Sequence, residues 1–174
     1  HPTMYLISEV LHLHDKSKFK VYLYSFAPKE DEYTEIAKNS GCIFKDIKEL
    51  NDLEAVQVAR NDQLDIAIDL MGYIKYNRMN IFAYRIAPIQ INYLAYPGTL
   101  GADTIDYIIA DKIIIPKEYE KFYTEKIIRM PSCYQCNDNK KEIYKEPISR
   151  QKFNLPEKGF VFTCFCSNKK ITPK

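Results

Sequence analysis

A chain of 174 residues is long enough for one domain, or for one domain and a piece of another. With 46% apolar and 28% charged residues it can bury a core, and its net charge of +2 is too small to imply a nucleic-acid or membrane partner. No apolar run approaches the roughly 18 residues of a membrane-spanning helix, and five cysteines without a secretory signal predict reduced thiols in a cytoplasmic compartment.

In chain order, Leu6, Ile7, Val10, Leu11 and His14 recur at the spacing of one helix face, with Thr3 as the N-cap. Residues 21–26 alternate as a strand, 27–31 form a polar turn, and 32–39 read as a helix closed by Gly41. A strand over 42–47 and a helix over 52–62, capped by Asn51 or Asp52, follow. Residues 64–70 form a nearly continuous apolar strand interrupted by Asp65 and Asp69. Such strands, separated by helices of about ten residues, predict an α/β fold whose parallel sheet is covered on both faces.

A polar loop carrying Lys75 and Arg78 leads to a short helix over 81–87 that Pro88 stops. Residues 90–95 read as a buried strand running into a tight turn over 97–101. In open α/β sheets ligands sit just past the carboxyl ends of strands. Gly98 and Gly101 would admit a close backbone approach there, and Thr99 adds a hydroxyl, although Pro-Gly is also ordinary turn chemistry that needs no ligand. Strands over 105–110 and 126–130 and a helix over 116–122 extend the sheet. Residues 137–147 lack periodicity and read as a linker or exposed loop. A short helix over 149–154 and a strand over 159–165 then look like the start of a second α/β unit, dividing the chain into 1–148 and 149–174.

Few residues point to chemistry by themselves. His12 and His14 lie near the solvent end of the first helix, whereas His1 precedes a helix N-terminus, where anions gather. Asp65, Asp69, Asp103 and Asp111 stand at strand ends without the spacing of an acid/base pair. Lys169 and Lys170 follow a strand, where an amine could hold a phosphate as a point charge. Cys133-x-x-Cys136 and Cys164-x-Cys166 make a poor zinc pattern because the second gap is too tight. Buried, inert thiols are the expectation, with no metal.

Eight blocks in register carry a resemblance that these features do not. They run from His1-Pro2-Thr3 through Asp69-Leu70-Met71-Gly72-Tyr73 and Phe82-Ala83-x-Arg85-x-Ala87-Pro88-Ile89-Gln90 to a centre at residues 93–101, Tyr-Leu-Ala-Tyr-Pro-Gly-Thr-Leu-Gly. Residues 106–111, Met130-Pro131-x-Cys133-Tyr134-Gln135-x-Asn137-Asp138, residues 160–165 and Lys170-Ile171-Thr172-Pro173 complete the set. Together they resemble the catalytic region of the O-GlcNAc transferase and SPINDLY family. That resemblance implies two Rossmann-like lobes with the active site between them. It also implies inverting, metal-free transfer of a sugar from a nucleotide sugar, usually UDP-GlcNAc, to Ser or Thr hydroxyls of an acceptor protein.

Residue by residue, the resemblance implies His1 as the active-site histidine and Thr3 beside it in the pocket. Leu94, Ala95, Pro97, Gly98 and Thr99 fall in the loop that packs on the sugar. Lys75 and Arg78 match basic residues near the acceptor groove and phosphates, Lys170 the lysine holding the leaving diphosphate, and Tyr134 and Ser167 further substrate contacts. Ala95 stands where Gly is common, Ile74 where Thr is, Cys166 where Asn is, and Lys169 where an aromatic or His is. The chain reads as an N-terminal catalytic lobe plus the first strand of the next, truncated at both ends and inactive alone. The alternatives are a SPINDLY-type fucosyltransferase using GDP-fucose and a non-catalytic α/β interaction domain. No cofactor is implied, and the oligomeric state is not legible.

Overall fold

The computed structural model describes residues 2–165 and 167 and divides into two units, His1–Asn139 and Lys140–Lys174. The first unit is an α/β domain. Its elements are α1 (Pro2–Leu13), β1 (Tyr22–Ser25), α2 (Glu32–Lys38), β2 (Ile43–Asp46), α3 (Asp52–Asn61), β3 (Ile66–Asp69), α4 (Asn80–Ala83), β4 (Ile89–Asn92), β5 (Tyr107–Ala110) and β6 (Lys126–Arg129). A 3-10 helix over Lys117–Phe122 precedes β6.

Local chemistry explains the helix starts. Asp31 accepts from the backbone of Tyr33 and Thr34 and forms a capping box with Thr34, and Asn51 forms another with Glu54. Each side chain satisfies amides that a helix start leaves unpaired. Thr3, expected as a cap, lies inside α1 instead, because Pro2 opens the helix with a backbone angle already suited to it. Gly41, past the end of α2, takes the left-handed conformation, φ +75°. Arg85 does the same at φ +55°, which ends α4 four residues before the predicted boundary at Ala87.

Every strand pair is parallel, as expected, but the strands form two sheets, β1-β2 and β3-β4-β5-β6. Both sheets line the same two apolar clusters. Tyr24 and Phe26 near β1 and Ala67 of β3 meet α3 through Ala55, Val56 and Ala59. Leu23 and Leu70 meet Ile7 and Leu11 of α1, together with Leu94. β1 and β3 therefore pack against α1 through one cluster and α3 through the other, while β5 and β6 pack in a third around Ile108 and Ile115.

Full coverage of β3 is not observed. Ala67 and Asp69 are buried, whereas Ile66 and Ile68 are each 49% exposed. Ile68 lies beside Ile91 of β4, which is buried. The exposure alternates along β3 and is shared by Ile89, the β4 neighbour of Ile66, so it belongs to one face of the sheet that is incompletely covered at β3. The expected strand over 90–95 is observed as Ile89–Asn92, central in its sheet, and stops there because Leu94 adopts φ +85°.

In the second unit, Gln151–Phe153 forms a 3-10 turn ended by Asn154 in the left-handed region. The expected strand over 159–165 does not form. Phe160, Phe162 and Phe165 are exposed and nothing among the described residues pairs with their backbone, without which an extended segment has no ladder. Among the described residues no helix is long and apolar enough to cross a membrane.

Candidate functional site

The elbow that follows β4 is fixed from several sides. Asn92, fully buried, donates from Nδ2 to the carbonyls of Tyr96 at 3.0 Å and Gly98 at 3.4 Å. Leu94 turns its side chain into the cluster formed with Ile7 and Leu11 of α1. Tyr123 donates to the carbonyl of Pro97 at 2.9 Å, and Tyr73 to that of Leu100 at 2.7 Å. Glu125, buried, accepts from the Leu100 amide at 2.6 Å and the Thr99 hydroxyl at 2.7 Å. Thr99 Oγ1 in turn accepts from the Gly101 amide, where φ is +60°. A turn anchored at this many points is already in shape before any ligand arrives, which lowers the ordering cost of binding.

Glycines set the position of the Tyr96 ring. A methyl group at Gly72 would collide with Cβ, Cγ and Cδ1 of Tyr96, and one at Gly98 would lie 3.0 Å from Cε1. Tyr96 also meets Tyr73 edge-on, with ring centroids 5.9 Å apart. Beneath it Asp69 accepts from the Met71 and Gly72 amides, while burial pushes its carboxyl above the usual range. Asn92 Oδ1 is the one fully buried side-chain oxygen or nitrogen without a partner among the described residues.

A second wall comes from the loop after β6. Asp111 accepts amides from Ile113, Ile114 and Tyr134, each at 2.8 Å, and Tyr93 donates its hydroxyl to the Tyr134 carbonyl at 2.9 Å. The amides of Ile114, Tyr134 and Ile113 hold the Asp111 carboxyl below its ordinary value of 3.8. The folded state therefore favours the anion. Its stabilising contribution is fully present above pH 3.8 and is lost as pH falls through the lowered folded value. Amide exchange at Tyr134 is expected to speed up in that acid window. Asp111→Asn should abolish the pH step, and an unchanged step in that variant would overturn the assignment to Asp111.

Leu94, Ala95, Pro97, Gly98 and Thr99 thus share one anchored turn, and the Tyr93 hydroxyl at its start holds the Tyr134 carbonyl. Thr3 lies in the first turn of α1, next to Met4, which packs on the Leu94 cluster. Lys75 is exposed, its ammonium 4.7 Å above the Tyr76 ring. Arg78 is turned inward, donating to Asp52 and to the carbonyls of Ile47 and Leu50. His1 and Lys170 lie outside the described residues, and Ser167 is exposed in the second unit.

The strand-end aspartates serve as loop anchors: Asp69 and Asp111 each bind their own downstream amides, while Asp65 and Asp103 are exposed. The cysteine expectation is also corrected, because no described thiol is buried. Cys133 and Cys164 are exposed and Cys42 and Cys136 half-buried. Asn92 and Glu125 went unrecognised in the sequence. Asn92 does interrupt an apolar run, which is a usable signal, but Glu125 stands in a charged stretch and carries none.

Comparison with known proteins adds relatives to this geometry. The profile described as glycosyl transferase family 41 matches residues 1–148. The chain is 32% identical over its whole length to a probable UDP-N-acetylglucosamine–peptide N-acetylglucosaminyltransferase, SEC, of Arabidopsis thaliana, covering 18% of that protein. It is likewise 32% identical to SPINDLY of the same plant, covering 19% of it. The chain thus spans about a fifth of the length of these relatives. A solved mutant of the Thermobaculum terrenum O-GlcNAc transferase aligns with a TM-score of 0.75 and 32% identity, over 78% of this chain and 26% of that one.

Proposed function

The chain belongs to glycosyl transferase family 41, and from that premise we propose that it forms part of an enzyme that moves N-acetylglucosamine from UDP-N-acetylglucosamine to Ser or Thr hydroxyls of a protein. The observation that carries this reading is the anchored elbow over residues 93–101, a preformed turn whose backbone is fixed by Asn92, Tyr123, Glu125 and Tyr73. Ala95, Pro97 and Gly98 offer the donor sugar an apolar, close-approach wall, and Leu94, buried against Ile7 and Leu11, holds that wall from behind. The Thr99 hydroxyl is held by Glu125, so its part is to fix the turn.

In the proposed reaction the acceptor hydroxyl oxygen attacks the anomeric carbon from the face opposite the diphosphate, its proton passing to water as the bond from that carbon to the diphosphate oxygen breaks, which inverts the configuration without a metal or cofactor. Negative charge grows on the leaving group, and Lys170 supplies a cation that binds it more strongly in the transition state than in the ground state. His1 and Thr3 border the sugar, Tyr134 and Ser167 add substrate contacts, and Lys75 lies toward the acceptor. The proposed setting is cytoplasmic, and the 174 residues alone are proposed to be inactive.

The test uses the intact parent protein with UDP-GlcNAc and, separately, GDP-fucose, reading acceptor mass. GlcNAc transfer supports the proposal, fucose transfer overturns the donor, and no transfer with either overturns the activity. Lys170→Ala is expected to lower turnover more than donor affinity, while Lys169→Ala changes little. The reverse order would show that the register through this segment is wrong.

A further inference from the structure

Cys133-Tyr134-Gln135-Cys136 forms part of the site wall, yet the proposed transfer gives its two thiols no role. The thiols differ in setting. Cys133 is exposed, whereas Cys136 is half-buried and packs in the cluster of Ile7, Leu11 and Leu94. Between them the chain bends at Tyr134 and Gln135. That bend is fixed on both sides of Tyr134, by its amide on Asp111 and by its carbonyl on the Tyr93 hydroxyl. Burial first, and then the adjoining Cys136 thiol, push the Tyr93 phenol upward, so Cys136 lies against the same hydroxyl that ties the elbow to the loop. An accessible thiol three residues from a sheltered one, on a bent segment, is the arrangement in which the first can react with an external disulfide and the second can resolve it.

We propose that Cys133 and Cys136 form a reversible dithiol–disulfide switch that loosens the Leu94 elbow when oxidised. The oxidant is a low-molecular-weight disulfide such as glutathione disulfide. The Cys133 thiolate attacks one of its sulfurs, forming a mixed disulfide and releasing one glutathione thiolate. The Cys136 thiolate then attacks the Cys133 sulfur, closing the Cys133–Cys136 bond and releasing the second glutathione. The protein loses two electrons and two protons, and the glutathione disulfide takes up both as two thiols.

A disulfide holds its two Cβ atoms about 3.5–4.5 Å apart. Cys136 is the sheltered partner, so closure draws its sulfur toward solvent, away from Leu94 and the Tyr93 hydroxyl. The elbow then loses a packing neighbour and its tie to Tyr134 weakens. Calling this a control of donor binding rests on the proposed function, but the switch itself does not, and neither readout below uses activity.

The intact parent protein is equilibrated in glutathione buffers of rising disulfide content, quenched by alkylation and digested. The expected product is a peptide containing both cysteines that carries no alkyl label and is lighter by about 2 Da than the unalkylated dithiol, and prior treatment with a thiol reductant should convert it to the doubly alkylated form. Amide exchange over residues 93–99 should be at least about threefold faster in the oxidised protein. Cys133→Ser, a change at an exposed position, should remove both effects. A stable glutathione adduct on Cys133 at equilibrium, a bridge from either thiol to another cysteine, or bridge formation with unchanged exchange over 93–99 would each overturn the switch.

Discussion

Gly72→Ala is expected to destabilise the domain by about 3–4 kcal/mol, against about 1 kcal/mol for Gly101→Ala. Both glycines occupy the left-handed region, at φ +58° and +60°, so both substitutions carry the same backbone cost. What separates them is space. Nothing lies within 4 Å of a Cβ built at Gly101, whereas one at Gly72 meets Cβ of Tyr96 well inside any real carbon–carbon contact. Shortening Tyr96 to Ala removes Cγ and Cδ1 but keeps the Cβ that causes the worst collision, so Tyr96→Ala should not rescue Gly72→Ala. Urea midpoints of the three variants, at constant slope, give the comparison. Equal losses at Gly72 and Gly101 would mean that the Tyr96 contact does not fix the elbow.

Such a result would bear on the site as well as on stability. Tyr96 opens the turn that Asn92, Tyr123 and Glu125 hold, and a ring displaced by a methyl group at Gly72 carries Pro97 and Gly98 with it. An error of an ångström in a wall that packs on substrate is enough to lower catalysis far beyond the change in binding.

The strand and helix pattern was legible because it depends on local signals. The strand read over 21–26, the cap read at Asn51 or Asp52 and the apolar run of β4 each correspond to an element of the fold, although the burial of β1 does not alternate. What failed depends on neighbours. Residues 159–165 have the composition of a strand, but a strand needs a partner and the described residues supply none. Ile66 and Ile68 look like interior residues, but the face of β3 that they share is left incompletely covered. At the site, the loop over 97–101 was legible from Pro-Gly chemistry together with the family resemblance. Its anchors were not, because Glu125 reaches Thr99 from 26 positions away in sequence and no periodicity encodes that contact.

Arg78 is where resemblance and geometry separate most clearly. The resemblance implies a basic residue near the acceptor groove and the phosphates. In the structure Nε donates to Asp52 at 2.8 Å, Nη1 to the Ile47 carbonyl at 3.0 Å and Nη2 to the Leu50 carbonyl at 2.8 Å. The guanidinium also lies over the Phe26 ring, 5.8 Å from its centroid. These contacts tie the segment between β2 and α3 to the loop before α4. The arginine side chain is only 16% exposed, and Asp52 is 32% exposed. Removing one partner of such a sheltered, hydrogen-bonded pair costs about 3–5 kcal/mol when burial is complete, and partial exposure lowers that to about 3 kcal/mol here. Arg78→Ala is therefore expected to lower the melting temperature by roughly 6–12 °C in a domain of this size. Arg78→Lys should recover little of it, because a single ammonium cannot reach three acceptors arranged for a planar fork. Thermal unfolding of the two variants, with donor and acceptor KM measured in the parent enzyme well below its transition, separates the roles. A structural arginine gives the stability loss with KM nearly unchanged. A phosphate- or acceptor-binding arginine gives a large rise in KM with the melting temperature intact, and that outcome would restore the role which the resemblance implies.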